Sequence, residues 1–268
     1  MAVIMILLTS CGRYSTGKPN FKIVYMDVEE GNISLPVKTE QIFKIKTSED
    51  ILKKNQSKKI TVDGIDYSGT YNETVSYGIY PDPSDFYEDR EKRIIFAIDS
   101  DGVVVLLNTG VRSEGDYMSN LLSNEEYEKI AKETIYRIFD KEEIGDEMRI
   151  VRNFADNFDQ IAFEFSKKIG DFETRSAKIS LNNKGELIEV ARINRGADSI
   201  DNINVNKEEC DEYVLENLKK TFENNPDYQF EISSRTPIKL ADGSVGINYT
   251  IEVHSMKNSE TLDLFLYI

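Results

Sequence analysis

The sequence predicts an α+β fold built from tandem units, each with one helix packed on an antiparallel β-meander. Two amphipathic helix patterns recur at a spacing of 83 residues, and two glycine-centred hairpin patterns recur at the same spacing. Strict alternation of apolar and polar residues follows, as expected for a sheet with one face in water. One helix on one face of such a sheet is an economical way to bury apolar surface.

The two helix patterns occupy residues 123–139 and 206–222. Ser123 with Glu126 forms a capping box, and Asn206 with Glu209 again provides an N-cap and an acid at N3. Both helices carry apolar residues at the spacing i, i+4, i+8 and i+11, which predicts one buried face. The stripes are Tyr127, Ala131, Ile135, Ile138 and Phe139 in the first helix, and Cys210, Val214, Leu218, Thr221 and Phe222 in the second.

The hairpin patterns turn at Gly102 and Gly185, where glycine accepts the positive φ of a tight turn. A more degenerate copy of the unit is predicted upstream, with a short helix at 48–55. The predicted strands lie at 60–62, 65–71, 161–165, 228–232, 245–253 and 262–268.

These elements predict the following organisation of the body. An N-terminal β-rich module spans 21–120, and two helix-plus-meander modules span 121–200 and 201–268.

The first twelve residues, MAVIMILLTSCG, predict a targeting signal rather than a folded element. An apolar run at 2–8 is too short to span a bilayer as a helix, but it fits the core of a signal peptide. Residues 8–11, Leu-Thr-Ser-Cys, resemble the bacterial lipobox, in which the cysteine is lipidated and the preceding peptide is removed. We therefore expect a signal peptide at 1–10 and lipidation, including palmitate, at Cys11. No basic residue precedes the apolar run, which leaves open a start codon farther upstream.

A polar tether is expected at 11–20, because the stretch after Cys11 has no apolar periodicity. Two acyl chains on one cysteine would hold a soluble domain stably on a membrane. The expected location is thus the extracytoplasmic face of the cell membrane.

Composition excludes several classes of function. A net charge of −15 repels phosphate backbones, so no nucleic-acid partner is expected. One histidine and two cysteines cannot form a multi-histidine zinc site, a four-thiolate site or a disulfide framework. No metal, cofactor or catalytic residue is predicted.

A helix followed by an antiparallel meander, repeated behind a lipobox, resembles the PepSY-like surface lipoproteins of Gram-positive bacteria. The residues that carry this resemblance are 8–11, the two capped helices and the hairpins at Gly102 and Gly185. The resemblance implies a PepSY-like or cystatin-like fold and a non-enzymatic role in binding a peptide or a peptidase. Two alternatives stay open: a carboxylate-dependent cell-wall hydrolase, and a structural subunit that docks by strand addition at an open sheet edge.

Aromatic residues are the candidate binding surface. Tyrosine provides rigid contact area with a polar tip, although pairing between neighbouring strands would explain the same residues. Phe265 and Tyr267 alternate with the leucines of the last strand and would lie on its wetter face. The candidates are Tyr67, Tyr71, Tyr77, Tyr80, Tyr87, Phe265 and Tyr267.

Four further features favour structural interpretations. Cys210 lies on an apolar helix stripe and is expected to be an inert core thiol. His254 ends a strand on its polar face and is expected to be solvated. Asp99-Ser100-Asp101-Gly102 begins like a calcium loop but lacks the later acidic ligand, which favours a plain hairpin turn. Asp82, Asp85, Glu88 and Asp89 form an acidic run that is interpreted as a solvated loop.

Overall fold

The computed structural model describes residues 21–26, 38–42, 46–76, 83–113, 118, 121–255 and 259–268. It combines helices with mainly antiparallel sheets. The helices are α1 (Asn124–Ile138), α2 (Lys141–Ile144) and α3 (Lys207–Thr221). The strands are β1 (Lys22–Met26), β2 (Thr39–Glu40), β3 (Lys46–Ser48), β4 (Ser57–Val62), β5 (Ile65–Ser76), β6 (Ser84–Asp89), β7 (Ile94–Ile98), β8 (Val104–Asn108), β9 (Glu147–Arg152), β10 (Ile161–Ile169), β11 (Phe172–Leu181), β12 (Leu187–Arg192), β13 (Gln229–Lys239), β14 (Val245–His254) and β15 (Ser259–Tyr267).

The larger sheet joins two meanders edge to edge. Its order is β3-β5-β6-β7-β8-β12-β11-β10-β9, with β4 paired to β5. The junction is the antiparallel pair β8–β12, in which Val190 lies opposite Leu107. The predicted N-terminal module and the middle module therefore share one continuous sheet.

Helix α1 covers one face of this sheet. Its N-terminus has the predicted capping box between Ser123 and Glu126. The expected stripe is buried at Tyr127, Ala131 and Ile135, which belong to the same core cluster as Phe163 and Phe165 of β10. The hairpin turn at Gly185 lies against the helix, where a Cβ would come within 2.8 Å of Ile130. Glycine is therefore favoured there by its φ of 80°, and a larger residue would also have to displace the end of the Ile130 side chain.

The smaller sheet has the order β13-β14-β15-β1-β2, and α3 packs on one face. Strand β1 pairs antiparallel with β15, placing Val24 opposite Phe265 and Tyr25 opposite Leu264. An N-terminal strand thus belongs to the C-terminal sheet, so the predicted module boundary at residue 21 is wrong for β1. The residues of β1 after Lys22 are all apolar, and such a short run does not indicate which of the two sheets it joins.

The helix predicted at 48–55 is also wrong. Residues 51–55 form turns, with the amide of Leu52 donating to the side chain of Asp50 at 2.9 Å. Asn55 then adopts a φ of 70°, which ends the turn. Ile51 and Leu52 are 83 % and 84 % exposed, so no buried face stabilises a helix here.

A polar network with buried members lies where the two sheets meet. Arg192, whose side chain is 5 % exposed, pairs with Asp198 and, at 2.6 Å, with Glu143 of α2. Arg195 pairs with Asp99 at 2.5 Å, which connects the linker after β12 to the Gly102 hairpin. Burial raises the pKa of Asp198 from 3.8 to about 6, against the opposing effect of Arg192.

This shift predicts a pH-dependent stability. A carboxyl whose pKa is raised by folding favours the folded state most when it is protonated. Its contribution is therefore fully present below about pH 4 and is lost as the pH rises to about 6, by at most about 3 kcal/mol. We expect Asp198→Asn to remove this dependence, so that the variant gains stability relative to the parent between pH 4 and pH 7. Urea unfolding across that range measures the difference.

The control for this prediction is Asp156→Asn, because Asp156 is exposed in the turn after β9. Its stability should follow the parent's at every pH. A constant difference between Asp198→Asn and the parent across the range would contradict the prediction.

Within the described residues, no helix has both the length and the apolar character that crossing a bilayer requires.

Candidate functional site

A cleft of 720 Å³ opens between the two sheets, beside the hairpin that joins β10 to β11. One wall is formed by the exposed side of β9, β10 and β11, and the other by the middle of β13. Strand β13 is an edge strand of the smaller sheet, and its residues Ser233–Thr236 line the cleft. The cleft thus combines residues of an edge strand with side chains from both sheets.

Cationic side chains dominate the lining. Five basic residues and two acidic residues face the cleft, and hydroxyl groups complete its polar wall. The basic residues are Arg149, Lys168, Arg175, Lys207 and Arg235, and the acidic residues are Asp171 and Glu173. The hydroxyl groups belong to Ser233, Ser234, Thr236 and Thr250. The basic lining residues thus outnumber the acidic ones, whereas the whole chain has a net charge of −15.

Buried contacts fix the relative position of the two walls. The Asn194 amide donates to Thr174 Oγ1 of β11 at 2.8 Å and to the Pro237 carbonyl of β13 at 2.9 Å. At the tip of the hairpin, Gly170 has a φ of 60°, and a Cβ there would lie 2.9 Å from the Ile203 carbonyl. Ile169 and Phe172 beside it belong to the core beneath α3. The cleft is therefore formed before any ligand arrives.

Two arginines share one carboxylate on the sheet wall. Glu164, whose side chain is 11 % exposed, accepts from Arg149 at 2.8 Å and from Arg175 at 3.4 Å. The two arginine side chains are themselves 62 % and 55 % exposed. Because one carboxylate neutralises only one charge, this pair of arginines retains positive charge and free N–H donors toward the cleft.

The opposite wall is tied to α3. Arg235 donates to Asp211 at 2.7 Å, and the Tyr249 hydroxyl donates to the same carboxylate at 3.0 Å. Burial, with the charge of Asp211 as the next contribution, raises the pKa of Tyr249 well above its ordinary value. Tyr249 therefore stays protonated as a donor and holds the carboxylate that orients Arg235.

Lys207 has no ion-pair partner within the described part of the chain, where no carboxylate lies within 4.0 Å of its ammonium group. It is also the first residue of α3, where the helix dipole disfavours a cation. Neither the contacts of the described residues nor the helix dipole therefore explains why a basic residue occupies this position.

Three of the tyrosines predicted as a binding surface lie in the core. Tyr67, Tyr71 and Tyr87 are 7 %, 7 % and 6 % exposed. Tyr87 stacks on Phe96 with ring centroids 5.2 Å apart. They do not form an exposed aromatic patch, because alternation along β5 turns Tyr67 and Tyr71 to the same buried face. Tyr77 and Tyr80 lie outside the described residues, as does Cys11.

The second aromatic candidate is also covered. Phe265 is fully buried in a small cluster with Met26, Ile238 and Leu240, on the face of the sheet opposite α3. Tyr267 is half-buried beside it, with Lys22 lying 5.1 Å from the centre of its ring. The expected wet face is therefore apolar at this end.

The remaining residues behave largely as the sequence indicates. Cys210 is buried in the core, and burial raises the pKa of its thiol to about 12. Asp99 closes a hairpin turn by accepting from the amides of Asp101 and Val103, which uses one of its oxygens. Arg195 pairs with the other oxygen, so Asp99 is already satisfied without an ion.

Sequence reasoning missed the cleft because its cations are dispersed along the chain. The tightest signal, Lys168 and Arg175 on either side of a Gly-Asp turn, places two cations near one hairpin. Arg235 and Lys207 join them only through the packing of one sheet against the other.

No protein-family model matches this sequence, and no curated protein matches it. Among solved structures, the chain is similar to the Bacillus megaterium YpeB C-terminal domain. The identity is 11 %, the match covers 78 % of this chain and 83 % of that one, and the TM-score is 0.32. A TM-score this low supports no conclusion about function.

Proposed function

We propose that this protein is a lipid-anchored, extracytoplasmic binding protein without catalytic activity, and that it binds an acidic segment of a partner protein in the cationic cleft. The observation that carries the proposal is the convergence of five basic side chains on one preformed cleft in an acidic chain. Arg149 and Arg175 share Glu164, Arg235 pairs with Asp211, and Lys168 pairs with Glu147 at 3.3 Å, so the N–H donors that these groups keep free would receive an anionic ligand.

A peptide suits this cleft better than a small anion or a nucleic acid. The edge of β13 offers backbone groups to an extended chain, and strand addition is a common mode of peptide recognition. Arg149 and Arg175 would pair with carboxylates on that chain, since guanidinium groups bind carboxylates in two-pronged geometry. A nucleic acid carries charge along its whole length and would be repelled by the acidic surface outside the cleft.

The anchor at Cys11 is part of the proposal. Ten residues separate Cys11 from Phe21, a reach of at most about 35 Å in extended chain. Since β1 belongs to the smaller sheet, this sheet would lie nearest the membrane. Mass spectrometry of the native protein tests the anchor: we expect loss of residues 1–10 and a lipid on Cys11, and an unmodified full-length chain would contradict it.

We also propose that the segments starting at α1 and α3 are related copies, as in the PepSY-like proteins that the sequence resembles. Both helices keep the offset of 83 residues, and each precedes strands that run antiparallel. In the second copy, β1 would take the place of the fourth strand.

Charge removal in the cleft predicts weaker binding of an acidic peptide. We expect a fluorescent polyglutamate peptide to bind the full chain at low salt, and to bind more weakly as salt screens the charges. The double variant Lys168→Gln/Lys207→Gln should weaken binding about tenfold or more, because it removes two cations that face the ligand. Fluorescence anisotropy measures both effects.

The matched control is Lys58→Gln/Lys59→Gln, which removes the same charge from exposed positions on β4. It should leave the affinity within about twofold of the parent's. Equal losses in both double variants would show that net charge alone matters, and would contradict the assignment of the cleft.

A further inference from the structure

Three potential metal ligands meet on the smaller sheet, on the face opposite α3. Glu231 on β13, and Glu252 and His254 on β14, place one ligand atom each within 4.8 Å of the others. His254 is the only histidine in the chain. Its position on the polar face of the strand agrees with the sequence, but its neighbours were not foreseen.

Strand geometry brings these side chains together. Glu252 and His254 are two residues apart, so both point to the same face of β14. Glu231 lies directly opposite Glu252 in the antiparallel pair β13–β14, and directly opposed residues have neighbouring side chains. Hydrogen-bonded strands therefore hold the three side chains in place.

The distances suit a metal ion. His254 Nε2 lies 3.5 Å from Glu252 Oε2 and 3.7 Å from Glu231 Oε2. Ligand atoms bound tetrahedrally to Zn²⁺ at about 2.1 Å lie about 3.4 Å apart. Small rotations of the two carboxylates would bring all three atoms to bonding distance.

A contact at Nδ1, the ring nitrogen that does not face the carboxylates, also orients the His254 ring. Ser259 Oγ on β15 lies 3.0 Å from His254 Nδ1, on the side of the ring away from the carboxylates. A histidine that binds a metal through Nε2 commonly donates its Nδ1 proton to an oxygen of this kind. Ser259 would thus fix the ring and its tautomer.

We propose that Glu231, Glu252 and His254 form a binding site for one Zn²⁺ ion, with Ser259 as the positioning residue for His254. One imidazole nitrogen and two carboxylate oxygens are a donor set that zinc accepts, whereas Mg²⁺ prefers oxygen ligands alone. The two carboxylates balance the charge of the ion. Water completes the coordination, since the described residues provide three ligands.

A competing explanation is a surface ion pair in which a protonated His254 contacts both carboxylates. It predicts no specific affinity for a metal ion. The two explanations therefore differ in a direct measurement of metal binding.

The test is titration of the tag-free full chain with ZnCl₂ at pH 7.5, by calorimetry and by ¹⁵N NMR of the single histidine. We expect one Zn²⁺ per chain and a change in the Nε2 resonance with Nδ1 still protonated. Glu231→Gln and Glu252→Gln should each weaken binding at least about tenfold, His254→Gln should abolish it, and Ser259→Ala should weaken it about tenfold. MgCl₂ should leave the Nε2 resonance unchanged.

Glu147→Gln, an exposed acid on β9, is the matched control and should bind zinc as the parent does. Circular dichroism confirms that each variant is folded. No binding by the parent, binding that survives the Glu231 and Glu252 variants, or coordination through Nδ1 would each overturn the proposal.

Discussion

Replacing Tyr25 with alanine is expected to lower the free energy of unfolding by about 3–5 kcal/mol, the range for truncating a buried aromatic side chain. Tyr25 is 6 % exposed, and its ring packs in the core beneath α3. Its hydroxyl lies 2.7 Å from Asn217 Oδ1 and 2.9 Å from Thr221 Oγ1, so it also attaches β1 to the helix. Urea unfolding measures the loss, and hydrogen exchange should show it in the amides of β15.

Two variants calibrate this prediction. Tyr25→Phe keeps the ring and loses only the hydroxyl contacts, so it should cost about 1 kcal/mol. Ile51→Ala alters another apolar residue of the N-terminal half, but one that is 83 % exposed, and it should change stability by less than about 0.5 kcal/mol. If Tyr25→Ala were as mild as Ile51→Ala, β1 would not be a strand of the C-terminal sheet.

The second large effect is expected at Gly246 on β14. A Cβ there would lie 2.4 Å from the Leu266 carbonyl oxygen and 2.5 Å from the ring of Phe265. The Leu266 carbonyl belongs to a hydrogen-bonded strand and can move only by disturbing that pairing. Gly246→Ala should therefore lower the free energy of unfolding by about 3 kcal/mol. Thermal and urea unfolding provide the measurement.

A double-mutant cycle identifies the cause of that loss. Phe265→Ala removes the ring that Gly246 accommodates, so the two substitutions together should cost less than the sum of their separate costs. Gly243→Ala is the control, because it has a φ of 88° but no atom within 4 Å of its Cβ. It should cost only about 1–2 kcal/mol, from backbone strain. Additive costs for Gly246→Ala and Phe265→Ala would contradict the close contact.

Elements whose structure is determined by residues close together in the sequence could be predicted from the sequence. The N-cap residues and apolar stripes place both long helices within a residue of their observed ends. The turns at Gly102 and Gly185 follow from the local need for positive φ, and both glycines adopt it. These signals lie within a few residues, so no knowledge of the packing is required.

Elements whose position depends on partners far away in the sequence could not be predicted from the sequence. Tyr25 and Leu264 pair across almost the whole chain, and neither the apolar run of β1 nor the alternation of β15 specifies this partner. A register shift in the β10–β11 pair, with Ser176 of β11 as the extra residue, also reverses the alternation of side chains along β11. This reversal turns Arg175 toward the cleft, and nothing in the period of the sequence marks it.

The candidate tyrosines show a signal that was available but misinterpreted. The polar tip of tyrosine suggested exposure, yet Tyr67 and Tyr71 are four residues apart on one strand and therefore share a face. That face is the buried one, as the alternation of β5 shows. Burial pattern is thus better evidence than residue type for the location of these rings.

Photocrosslinking in the native host most directly tests the claim that the cleft receives a partner protein. A photoreactive phenylalanine analogue replaces Thr236, which lines the cleft, or Lys129, which is exposed on α1. We predict that illumination links a protein with an acidic segment to position 236 and not to position 129. An adduct at both positions, or at neither, would contradict the cleft as the binding site.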